Sequence, residues 1–176
     1  MLQVCSLSEV ATALKSLGAK RISIDGTDGS GKSTLAEALS TELGSLLIHL
    51  DDFVEKGQGV YVSSLDIAEL TKALTSEQTW ILEGVCVLQA LEAAGIEQDA
   101  LVYIKRMSHG QWCDEDELDP QVPIEQHLDH LRSELRPFAD AYGESGELGL
   151  AEEVVRYHAR YRPHRNATLT YLRADA

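Results

Sequence analysis

Apolar and polar residues follow two rhythms along this chain, and the rhythms alternate. Leu7, Val10, Ala11, Leu14 and Leu17 recur at steps of three and four, which predicts a helix over about 7–17 with one apolar face. Ser6 and Glu9 have capping-box spacing at its start, and Gly18 suits its end. The run Lys20-Arg21-Ile22-Ser23-Ile24-Asp25 reads as a short strand that enters a glycine-rich turn. Leu35, Leu39 and Leu43 then give a second helix over 32–43. Further strands are predicted at 46–50, 79–82, 100–105 and 167–172. Further helices are predicted at 65–74, 87–94, 124–135 and 150–161. Pro123 suits a helix's first turn, and Pro137 is expected to end that helix. Residues 107–121 carry no period, and 140–149 read as a glycine-rich loop. Strand and helix in alternation predict an α/β fold around a mostly parallel sheet of about five strands.

Composition narrows the class. A chain of 176 residues with 44% apolar and 25% charged side chains suits a single domain over 1–176, with room for a small lid. Twenty-nine acids oppose 15 bases, for a net charge of −14 and an isoelectric point near 4.7. A field of that sign repels phosphate backbones and anionic lipid, so neither a nucleic-acid polymer nor a membrane surface is expected as partner. Any site for an anion must be built locally. No apolar run reaches the roughly 18 residues of a membrane span. The first residues lack the basic-then-apolar order of a signal peptide. Cys5, Cys86 and Cys113 are odd in number and far apart, as in a reducing compartment, and the expected location is cytoplasmic. Self-association is left open by the sequence.

The strongest chemical signal is Gly26-Thr27-Asp28-Gly29-Ser30-Gly31-Lys32-Ser33, followed by Thr34. It fits G-x-x-x-x-G-K-[ST] at every fixed position, between an apolar strand and an amphipathic helix. Such a P-loop wraps a phosphate chain in inward N–H groups, and the helix N-terminus adds a favourable dipole. Lys32 would reach the β- and γ-phosphates, Ser33 would ligate Mg²⁺, and Thr34 lies close to the α-phosphate. An acidic protein can thereby hold a triphosphate in a nest of amides, with Lys32 and Mg²⁺ offsetting its charge.

Two carboxylates come next. Asp51, of Asp51-Asp52-Phe53, follows the second predicted strand, and in open parallel sheets ligands sit beyond the carboxyl ends of strands. It could act as a base toward a substrate hydroxyl or hold a Mg²⁺ water; a turn cap is the plainer role, more so for Asp52. Glu83 ends the apolar strand Trp80-Ile81-Leu82 in a Walker B layout, where it could bind Mg²⁺ through water or orient a substrate.

Ile24 to Ala36, Leu50-Asp51-Asp52-Phe53 and Ile81-Leu82-Glu83-Gly84-Val85 together resemble the uridine kinase and phosphoribulokinase branch of P-loop kinases, as does the tail from Tyr157 to Pro163. The similarity covers about residues 20–106 and 150–173. It implies a three-layer α/β/α P-loop NTPase fold, ATP and Mg²⁺ as cofactors, Asp51 as the base that activates a hydroxyl, and Glu83 near metal or acceptor. After the fourth strand the resemblance is confined to Arg106, where the family carries paired arginines. The family's long acceptor-binding insertion is here a short stretch, and the chain stops at the fifth predicted strand.

Phosphoryl transfer calls for cations near the moving group. Arg106 is the first candidate; Arg132 and Arg136 share a helix face but have Asp129 as a nearby ion-pair partner. Residues 108–146 are expected to form a lid. Its acids 114–119 should stay in solvent, away from the triphosphate. His109 and Cys113 are too few for a zinc site. Tyr157, His158 and Tyr161 read as mixed core and rim. The expectation is an ATP-dependent kinase acting on a small hydroxyl compound. The rival is a nucleotide-binding switch without efficient transfer, with Asp51 favouring the kinase.

Overall fold

The computed structural model describes residues 2–55, 61–142 and 147–174, and the backbone alone for 138–142. The elements are β1 (Leu2–Val4), α1 (Leu7–Leu17), β2 (Arg21–Asp25), α2 (Lys32–Leu43), β3 (Leu46–His49), α3 (Ile67–Ser76), β4 (Trp80–Glu83), α4 (Val87–Ala94), β5 (Ala100–Ser108), β6 (Gln111–Trp112), α5 (Glu115–Leu118), α6 (Ile124–Tyr142), α7 (Leu150–Tyr161), α8 (Pro163–Asn166) and β7 (Leu169–Ala174). One sheet runs in the order β1-β7-β5-β2-β4-β3, with β6 beside β5. Every pairing along that path is parallel; among the strands of the described residues only β5 and β6 run antiparallel.

The strand period decides the layers. In β5, Ala100, Val102 and Ile104 join one cluster with Val10 and Leu14 of α1 and Leu35 and Leu39 of α2. Leu101 and Tyr103 point the other way, against Leu128 of α6 and Val155 of α7. Trp80 and Leu82 of β4 pack with Leu70 and Leu74 of α3 and Val87 and Leu91 of α4. Helices therefore cover both faces, as the parallel strands at its centre require, and the fold is the three-layer α/β/α arrangement. Ser6 and Glu9 form the capping box of α1.

Four expectations change. Among the described residues the sheet has seven strands rather than five. β1 is three residues long with Leu2 and Gln3 exposed, too short to show a period of two; its register Leu2↔Leu169 ties it to β7. Residues 107–121 are not irregular, because β5 runs on to Ser108, turns into β6 and is followed by α5. The helix at 124 does not end at Pro137; α6 continues to Tyr142. A proline there removes one N–H from the helical ladder, but Ser133 and Pro137 are both exposed, so water can serve the freed carbonyl. Lastly, the acids at 114–119 do not all stand in solvent. Asp114 is buried, as is Leu118. Among the described residues no helix is long and apolar enough to cross a membrane.

Candidate active site

The parallel strands deliver their carboxyl ends to one rim, and the candidate site is the stretch of that rim from β7 to β3. β2 ends at the buried Asp25, residues 26–31 turn, and α2 begins at Lys32. Asp25 accepts the Gly26 N–H at 2.7 Å and the Tyr157 hydroxyl. Burial pushes its carboxyl up to about 7, against those two hydrogen bonds and the charge of Lys32. The Asp28 carboxylate accepts the Gly29 N–H at 2.9 Å. Lys32 is 8% exposed and donates to the Thr27 carbonyl at 2.8 Å. Burial lowers its pKa, while Glu83, Asp25, Asp28 and Asp51 oppose that shift. In this arrangement the lysine bridges its own loop.

Next to β2 lies β4, in register Ile24↔Glu83. Glu83 is buried, accepts the Ser33 hydroxyl at 3.0 Å, and stands 2.6 Å from His49 Nδ1. That bond with Glu83 raises the His49 pKa against partial burial. Beyond β3 the chain makes a single 3-10 turn, Leu50–Phe53, which turns Asp51 to the rim, where it accepts the Tyr61 hydroxyl. Tyr61 is set by its own N–H, which donates to Glu153 of α7 at 2.7 Å. Lys32, Ser33, Thr34, Asp51 and Glu83 line one cavity of about 740 Å³, together with Tyr61 and Arg173. That volume suits a nucleotide with a small partner molecule. Ser33, Glu83 and Asp51 are hard oxygen donors beside the phosphate loop, the donor set Mg²⁺ takes when phosphates supply the remaining ligands.

Asp28, Gly29 and Gly31 border the same cavity. Gly26, Thr27 and Ser30 form the back of the loop, with Ser30 fully buried. Asp52 is exposed and does not border the cavity. Arg106 does not line it either. It binds Asp114 through Nε, at 3.4 Å, and through Nη2. Asp114 also accepts the Thr27 hydroxyl at 3.1 Å, so an acid expected in solvent braces the phosphate loop. Arg132 pairs with Asp129 and Glu152, and Arg136 is exposed. His158 is buried rather than at the rim. Its Nδ1 donates to the Val154 carbonyl at 2.7 Å, leaving Nε2 to accept from Tyr103, 2.9 Å away. Burial pulls its pKa down to about 4, so it is neutral.

Sequence reasoning missed Asp25, His49, Tyr61, Asp114 and Arg173. Asp25 stood in view as the last strand residue before the loop. His49 likewise ends a strand, two residues before Asp51; the others reach the site across gaps of ten residues or many more, and no local pattern marks them.

No family model matches the chain, and no curated protein matches it. Among solved structures, an enzyme described as a possible uridine kinase from Bacillus stearothermophilus matches with a TM-score of 0.54 at 18% identity, over 94% of this chain and 96% of that one. A shikimate kinase from Bacteroides thetaiotaomicron aligns with a TM-score of 0.42 at 16% identity, over 88% of this chain and 86% of that one. A gluconokinase from Sinorhizobium meliloti 1021 aligns with 0.41 at 14%, over 89% and 82%. The fold is that of a P-loop kinase. At these identities the likeness extends to the fold and selects no branch.

Proposed function

We propose that this chain is an ATP-dependent kinase that moves the γ-phosphoryl group of ATP to a hydroxyl of a small molecule, in the manner of a uridine kinase. The observation that carries the reading is a single cavity that collects Lys32 and Ser33 of the phosphate loop with Asp51 and Glu83. The loop amides and Lys32 bind the β- and γ-phosphates. Asp51 receives the acceptor's hydroxyl proton and aims its oxygen at the phosphorus. For it to do so the Tyr61 hydroxyl must yield its place to the acceptor. Glu83 keeps Ser33 oriented and, with Ser33 and Asp51, would hold Mg²⁺, which when bound neutralises phosphate charge. Arg106, engaged by Asp114, would have to leave that carboxylate to reach the phosphates. Residues 108–142 form the lid that excludes water; the rest of the expected lid, 143–146, lies outside the described residues. The protein acts in the cytoplasm on a free small molecule.

The test is a screen of nucleosides, sugars and vitamins for acceptor-dependent ADP formation, with Lys32→Ala as control. An acceptor turned over by the wild type and not by the variant supports the reading. Turnover at wild-type rate without the lysine overturns the loop's assignment. Tight ATP binding with no acceptor-dependent ADP across the screen supports a nucleotide-binding switch instead.

A further inference from the structure

We propose that Arg173, from the last strand, is a second cation of the phosphate cradle and binds the donor nucleotide through its phosphates. The proposal rests on the reading of the cavity as a nucleotide site and adds to it a residue far from the P-loop in sequence.

Three observations converge on it. The first is contact. Arg173 Nη1 donates to the Gly29 carbonyl at 3.1 Å. A Cβ built on Gly31 would lie 2.6 Å from Nη1 and 3.1 Å from the guanidinium carbon. The group therefore packs on the bare Cα of Gly31, whose φ of +89° also favours glycine. The second is free capacity. Among the described residues Arg173 has no carboxylate partner, and its guanidinium donates to that neutral carbonyl. Other arginines of this chain, Arg132, Arg156 and Arg165, hold acids. In a chain of net charge −14, a guanidinium on the cavity wall without an acid suits an anion that arrives from outside. Its fork of donors matches phosphate oxygens.

The third is position. β7 lies beyond β5, on the opposite side of β2 from β4 and β3. Asp51 and Glu83 thus flank the loop on one side and Arg173 on the other, while all three border the cavity. The acceptor meets the γ-phosphate on the Asp51 side. Arg173 then faces the rest of the donor, the inner phosphates that do not change partners. It is accordingly a binding residue, with ATP and ADP both held by it and the chemical step left to Lys32 and Asp51.

Calorimetric titration of wild type, Arg173→Ala and Arg173→Lys with Mg-ATP, ADP, inorganic tripolyphosphate and adenosine tests the assignment. The expected result for Arg173→Ala is a loss of about 10-fold or more in affinity for ATP, ADP and tripolyphosphate, the usual scale for a hydrogen bond to a charged group, with adenosine binding unchanged. Arg173→Lys should recover part of the loss, since it keeps the charge and loses the fork. The comparison of phosphorylated ligand with adenosine within one variant is insensitive to a general loss of fold. Equal ATP affinity in wild type and Arg173→Ala overturns the proposal and leaves the kinase reading standing. An equal fall for ATP and adenosine also overturns it, because the arginine would then serve the base or the fold. A wild type that binds no nucleotide overturns both.

Discussion

At the scale of single residues the chemistry depends on how strongly the fold perturbs each group. Asp25 is fully buried at the root of the phosphate loop, and its carboxyl is moved from 3.8 to about 7. Between those values the folded protein holds a proton that the unfolded chain has released, so stability falls as pH rises through the window and levels off above it. Asp25→Asn removes this dependence while keeping an acceptor for Gly26. Melting curves should show the wild type losing ground to the variant from about pH 4 to 7, with the two parallel above that; parallel curves throughout would mean Asp25 titrates normally. Asp51→Asn tests the proposed base. It should lower kcat by about 10²–10⁴-fold with a cognate acceptor. An unaltered kcat would return Asp51 to the role of a turn residue bonded to Tyr61.

At the scale of elements, what was legible had a local cause. α1, α2, α4 and α7 are bounded as the periodicity and stop residues indicate, and the loop motif located Lys32 and Ser33. β1 and β6 escaped notice because two- and three-residue strands owe their existence to β7 and β5 rather than to a pattern of their own. Asp114 was misassigned for the same reason: five neighbouring carboxylates look alike in sequence, and only the return of the chain through β6 brings this one to Thr27 and Arg106. The junction after β4 depends as strictly on its neighbours. A Cβ at Gly84 would stand 2.6 Å from that of the fully buried Leu50. Gly84→Ala should therefore destabilise the protein by about 1–3 kcal/mol, the scale of overpacking a close-packed core, and displace Asp51 with the turn that carries it. Denaturant unfolding measures the first effect, and kcat reads the second. An unchanged midpoint would show that the turn yields freely.

At the scale of the whole molecule, α7 joins what the sheet order separates. Its Tyr157 holds Asp25 under the phosphate loop, and its Glu153 holds Tyr61 beside Asp51. A ligand that fills the cavity therefore lies between groups that one helix holds on both sides, and movement of α7 is felt at Asp51 and the loop together. With a non-hydrolysable ATP analogue and acceptor bound, hydrogen exchange across 108–142 and α7 should slow relative to the free protein, while the central strands β2 and β4 change little. Equal exchange in both states would remove the lid.

The direction of β7 has a practical side. Its carboxyl end carries Arg173 and Ala174 to the rim where Gly29 and Gly31 lie, whereas β1, parallel to it, begins at the opposite rim with Leu2. A labelled side chain is thus unequal on the two strands. At Ala174 it stands at the rim of the cavity, where an acidic or bulky group would compete for Arg173 and shade the entrance. At Leu2 it stands at the opposite rim of the sheet and keeps that entrance clear.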